Sequence, residues 1–166
     1  MKILKPLFAF FLAGSLIFIS SCESDDFCTQ TPVTPNLVLR FYDNANRTDL
    51  KAVQRLSVIA QGKTDSLFTN TTIDSIALPL NPLAQETVYI LKKNEIDGNL
   101  ADNEIETLVI KYTPEDEYVS RSCGFRVIFN NVTVEVTGTP GWVDELQTTQ
   151  IASLNTQNNA HVNVFH

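Results

Sequence analysis

Apolar residues in this chain recur at every second position, in short runs divided by turn-forming clusters, and that period decides the fold class. Leu37, Leu39 and Phe41 share one face of an extended segment, with Val38, Arg40 and Tyr42 on the other. Leu56, Val58 and Ala60 repeat the pattern, as do Ile76, Leu78 and Leu80. Val88 and Ile90 begin another run, and Leu108, Ile110 and Tyr112 another. Side chains alternate between faces along a strand but follow a 3.6-residue period along a helix, so these runs mark half-buried strands of an antiparallel sheet. Asp43-Asn44-Ala45-Asn46, Gln61-Gly62-Lys63, Asn81-Pro82 and Asp97-Gly98-Asn99 lie between them, and such residues reverse a chain readily. Many short strands with regular turns predict an all-β fold, an antiparallel β-sandwich of immunoglobulin-like or transthyretin-like form.

Residues 117–136 carry the most detail. Val119, Cys123, Phe125, Val127 and Phe129 fall on one face, with Arg121 among them. Asn130-Asn131 then permits a reversal, because Asn tolerates positive φ, and Val132, Val134 and Val136 make the returning strand. This hairpin is expected at the centre of the sheet, with Cys123 buried and Arg121 a partly buried, paired cation. Gly124 suggests a bulge or a close backbone approach. Beyond Gly138-Thr139-Pro140-Gly141, residues 142–154 read either as one short helix, with Val143, Leu146, Gln150 and Leu154 on a stripe, or as a strand around Ile151. Val162 and Val164 add a last alternation.

The N-terminal region obeys different rules. Lys2 and Lys5 precede thirteen uninterrupted apolar or small residues, 7–19, too few to cross a bilayer as a helix and the right number for the apolar part of a secretory signal. Ile19-Ser20-Ser21-Cys22 then resembles the lipobox of bacterial lipoproteins. The resemblance implies cleavage of a signal peptide, residues 1–21, and lipidation of Cys22 at the new N-terminus; the alternative is an ordinary secretory signal with Cys22 a free thiol. Residues 22–35 form an acidic tether, in which Glu23-Ser24-Asp25-Asp26 resembles the surface-export signal of Bacteroidota lipoproteins or serves only as an extended, solvated spacer. Residues 36–166 are then a single β-sandwich domain.

Composition narrows the partners. Acidic residues outnumber basic ones 19 to 12, and losing Lys2 and Lys5 leaves ten basic residues and a net charge of −9 over 145 residues. An anionic chain is a poor ligand for nucleic acid, whose affinity comes from basic neutralisation of phosphates. With Cys22 assigned to lipid, Cys28 and Cys123 remain as an even pair in an oxidising compartment, and a structural disulfide between them is expected.

No catalytic constellation can be assembled. His161 and His166 are five residues apart, on opposite faces of a strand, and read as a surface and a terminal side chain rather than metal ligands. Asp97, Asn99, Asp102, Asn103 and Glu104 offer oxygens, yet Ala101 occupies one alternate ligand position and no glycine sits sixth, so the calcium-loop pattern fails. No metal and no cofactor are expected. Asp65-Ser66-Leu67 and Asp74-Ser75-Ile76 resemble the O-glycosylation acceptor of exported Bacteroidota proteins, making Ser66 and Ser75 candidate modification sites. Asn46, Asn70 and Asn131 head N-glycan sequons that a bacterial cell leaves idle. Trp142, after Pro140-Gly141, either stacks a sugar or partner at a loop mouth or closes one end of the core.

With Cys28 upstream, Leu37-Val38-Leu39-Arg40-Phe41-Tyr42-Asp43 and Glu117-Tyr118-Val119-Ser120-Arg121-Ser122-Cys123-Gly124-Phe125, leading into Asn130-Asn131-Val132, resemble an uncharacterised family of Bacteroidota outer-membrane lipoproteins carrying a domain of unknown function. The resemblance covers residues 35–136 and carries no catalytic motif. It implies an outer-membrane location, on the periplasmic face or the cell surface, and an envelope partner such as a β-barrel protein. The function expected is therefore that of a non-enzymatic, lipid-anchored structural or interaction component. A surface module binding a glycan or small ligand through Trp142 and the strand-end loops is the alternative. Oligomeric state is left open.

Overall fold

The computed structural model describes residue 28 and residues 33–94, 104–137 and 141–166. The chain divides into two compact units, Met1–Pro32 with Val119–Gly124, and Val33–Tyr118 with Phe125–His166.

The larger unit is a β-sandwich, and no helix occurs among the described residues. Its strands are β1 (Leu37–Tyr42), β2 (Val53–Ala60), β3 (Ser66–Ile73), β4 (Ser75–Leu78), β5 (Glu86–Lys93), β6 (Glu104–Ser120), β7 (Gly124–Thr137), β8 (Glu145–Gln147), β9 (Gln150–Leu154) and β10 (Val162–Phe165). One sheet has the order β4-β1-β10-β8 and the other β3-β2-β5-β6-β7-β9. The core lies between them, where Leu37, Leu39, Phe41, Ile76 and Leu78 face Leu56, Val58, Leu108, Ile110 and Phe129, all at most 2% exposed. The alternation in β1 is the sequence pattern made visible, with buried Leu37, Leu39 and Phe41 interleaved with partly exposed Val38, Arg40 and Tyr42.

Most pairs are antiparallel; β1 and β10 run parallel, with Leu39 opposite Val162 and Phe41 opposite Val164. His161 extends that ladder by one step: its amide donates to the Val38 carbonyl at 2.8 Å, and its Nδ1 accepts from the Val38 amide at 2.9 Å.

One open expectation is decided and three are corrected. Of the two readings of residues 142–154 the strand around Ile151 holds, as β9, and no helix forms: β8 joins the four-stranded sheet and β9 the six-stranded one, divided at Thr148-Thr149 where Thr148 takes φ 65°. A helix cannot serve two sheets, and its β-branched threonines disfavour it. The reversal expected at Asn130-Asn131 occurs instead at residues 121–123. There the Ser120 hydroxyl accepts from the Cys123 amide at 3.0 Å, and Gly124 supplies φ 73°, which suits a residue without a Cβ. Arg121 is consequently an exposed turn residue, not a buried cation. In β5 the buried face belongs to Tyr89 and Leu91, with Val88 and Ile90 only partly covered.

Candidate functional site

The Sγ atoms of Cys28 and Cys123 lie at bonding distance, with Cα atoms 4.8 Å apart. Cys123 is not in the interior of a central strand but in the turn that caps the β6–β7 hairpin. Beyond the register shared with β5, which ends at Lys111 opposite Glu86, β6 continues for nine residues alongside β7; β9 pairs with β7 from Phe129 to Thr133, and past that the hairpin continues as a two-stranded arm. Glu117 and Arg126 pair across this arm at 2.5 Å, and the rings of Tyr118 and Phe125 meet edge to face at 5.3 Å. Both rings are mostly exposed, at 59% and 64%.

Trp142 is a core residue. It is 5% exposed, its ring centroid 6.0 Å from Phe41 and 5.4 Å from His166, with the Lys93 ammonium 5.7 Å from the centre of its ring. The segment bearing it is latched to β6 by Glu106, itself 3% exposed, whose Oε1 accepts from the Val143 amide at 3.2 Å. Gly141 permits this approach, because a Cβ there would stand 1.9 Å from the same Oε1. Of the two readings of Trp142, the one that closes an end of the core holds, and the exposed stacking platform does not. Glu106 was missed in the sequence, although it had a signal: it stands two positions before Leu108, on the inward face of β6.

Both histidines are built into the fold, although His166 Nδ1 is buried without a hydrogen-bond partner among the described residues. His161 Nδ1 accepts from Val38, and burial, opposed by a hydrogen bond to the Thr156 backbone, holds the imidazole below its ordinary range. His166 is 7% exposed, not a frayed terminal side chain, with Nε2 3.1 Å from the Lys51 carbonyl oxygen. Burial depresses it too; the hydrogen bond to Lys51 and the charge of Asp144 oppose this, and the Lys51 and Lys93 ammonium groups reinforce it.

Both depressions give a definite sign. Above about pH 6.5 the two histidines are neutral whether the chain is folded or not. Below it the unfolded chain takes up protons that the folded chain resists, so stability is full above this pH and declines as pH falls toward the depressed values. Thermal unfolding midpoints should therefore be flat from pH 8 to 7 and fall between pH 6.5 and 5. A midpoint that holds or rises across that interval would contradict the neutral pairing at Val38.

The candidate glycosylation sites differ. Ser75 donates its hydroxyl to the Leu39 carbonyl at 3.1 Å, whereas Ser66 opens edge strand β3 after the exposed turn. Of the oxygen-rich segment, Asp97, Asn99, Asp102 and Asn103 lie outside the described residues; among those described, no three His, Cys, Asp or Glu side chains cluster as metal ligands. A cavity of about 550 Å³ is bordered by Lys63, Asn81, Glu86, Thr87 and Tyr89. Its tyrosine is committed to the fold: the Tyr89 hydroxyl donates to the Pro79 carbonyl, and burial pushes its pKa up to about 12.

The fold and the paired cysteines define the class, a β-sandwich with a disulfide at the turn of its longest hairpin. A model described as a family of unknown function (DUF6452) matches residues 55–166, two thirds of the chain, and the protein belongs to that family. No curated protein and no solved structure matches it.

Proposed function

We propose that the protein is a lipid-anchored component of a Bacteroidota outer membrane, held through Cys22 and acting by contact with other envelope proteins rather than by catalysis. The observation that carries this reading is the bonding distance between Cys28 and Cys123. It accounts for two of three cysteines, favours an oxidising compartment, and leaves as the odd thiol the one cysteine placed after Ile19-Ser20-Ser21. A membrane β-barrel protein is the partner proposed. A glycan-binding role loses its main support with Trp142 inside the core.

Growth with an alkyne analogue of palmitate tests the anchor. The wild-type protein should carry label, with a mature mass beginning at Cys22 plus its acyl chains, and Cys22→Ser should carry none. An unlabelled wild type overturns the anchor. Crosslinking in intact membranes should recover a β-barrel protein with the lipoprotein; recovery of no envelope protein above background overturns the interaction role.

A further inference from the structure

Two large aromatic side chains stand exposed and in mutual contact on the β6–β7 arm, at positions where the alternation of the sequence would have buried Phe125. Tyr118 is 59% exposed and Phe125 64%, with centroids 5.3 Å apart. They flank the turn that carries Cys123, two residues from Phe125 and five from Tyr118. The covalent path then continues to Cys28, six residues from Cys22. Without the disulfide, eleven residues separate Cys22 from Val33, the first residue of the continuous described chain.

We propose that Tyr118 and Phe125 form a second membrane contact, an aromatic pair resting in the interfacial layer of a zwitterionic phospholipid surface. The proposal rests on lipidation of Cys22 as set out above. Six residues reach at most about 21 Å even when fully extended, and a contact held within so short a reach of the anchor is favoured by a high effective concentration. Even a weak partition of two rings is then populated. The amphipathic Tyr118 ring favours the boundary between hydrocarbon and headgroups, with its hydroxyl toward water, and the apolar Phe125 ring beside it gains by leaving water for the hydrocarbon side. Charge selects the lipid. Residues 115–126 hold Glu115, Asp116 and Glu117 against Arg121 and Arg126, a net −1, and Glu23, Asp25 and Asp26 line the leash. An anionic headgroup is repelled by this set, and a zwitterionic one is not.

The test uses acylated full-length protein extracted from membranes and reconstituted into dioleoylphosphatidylcholine vesicles containing brominated chains, which quench only indole close to the bilayer. Trp142 is the single tryptophan, so Trp142→Phe supplies a dark background for a reporter at Phe125→Trp. Ile105→Trp is the control: it is exposed on the same strand as Tyr118, thirteen residues and about 43 Å away along β6. The expected result is at least threefold stronger quenching at position 125 than at 105. Cys28→Ser should reduce the difference, as should replacing half of the lipid with phosphatidylglycerol. Equal quenching at both positions in protein whose mass confirms acylation overturns the membrane contact and leaves the anchor standing. Fluorescence at 125 that shifts to the blue with protein density, without quenching by bromine, overturns it in favour of pairing between copies. A mass lacking acyl chains overturns the anchor, and the contact falls with it.

Discussion

Cys28→Ser is expected to lower the thermal unfolding midpoint by on the order of 15 °C, the largest change available from a single sulfur atom in this chain. The bond closes a loop across a sequence separation of 95 residues, so in the denatured ensemble it confines the chain of β1 to β6 at once. In the chain-entropy description a loop of that size contributes about 4–5 kcal/mol, chiefly by restricting the unfolded state. Three features identify this origin. Cys123→Ser and the double substitution should match Cys28→Ser, because either partner alone removes the whole constraint. Wild type under reducing conditions should fall to the same midpoint. The denaturant dependence should steepen in the variants, since an uncrosslinked unfolded chain exposes more surface. A Cys28→Ser protein that melts with wild type would place the denatured chain's freedom elsewhere.

How far the sequence foretold this molecule depends on what kind of signal each residue carries. Burial in β1, β4 and β6 followed from periodicity alone, since Leu37, Leu39, Phe41, Ile76, Leu78, Leu108 and Ile110 all point inward as the alternation requires. Residues 117–136 show why the same method failed nearby. Their apolar positions change parity, odd through Phe129 and even from Val132, and a reversal at Asn130-Asn131 explains that change. The chain uses a cheaper solution: Asn131 takes φ 52° within a continuing β7, and Phe129 and Val132 both remain fully buried. One left-handed residue and one hairpin turn leave the same trace in a hydrophobic pattern. What separates them is hydrogen bonding, and the Ser120–Cys123 bond that makes the true turn involves residue types too common to stand out. The cysteine pairing was legible because counting suffices. The cluster of Glu106, Trp142 and His166 was not, because it joins β6, the segment before β8 and the end of the chain, and no local pattern reports a contact across such separations.

Trp142→Ala is therefore expected to act on folding and not on ligand binding, at a cost of about 3–5 kcal/mol, as for other buried aromatic truncations. The indole fills the space between Phe41 and His166 beneath the Glu106 latch, and removing it leaves a cavity whose walls belong to both sheets and cannot close together. Trp142→Phe should cost far less: it keeps most of the ring and forfeits no hydrogen bond, because among the described residues the indole Nε1 has no partner. Double substitution with His166→Ala should be less damaging than the two single effects added, since the rings share one contact. Phe125→Ala supplies the contrast, with a change within about 0.5 kcal/mol because that ring already stands in solvent. Chemical denaturation followed by circular dichroism measures these variants, with His166→Ala alone, on one scale. The ordering to look for is a heavy loss at Trp142, which the sequence left between a loop mouth and the core, and almost none at Phe125, which its alternation placed in the core. The reverse ordering would return Trp142 to the surface and reopen the case for a stacked ligand.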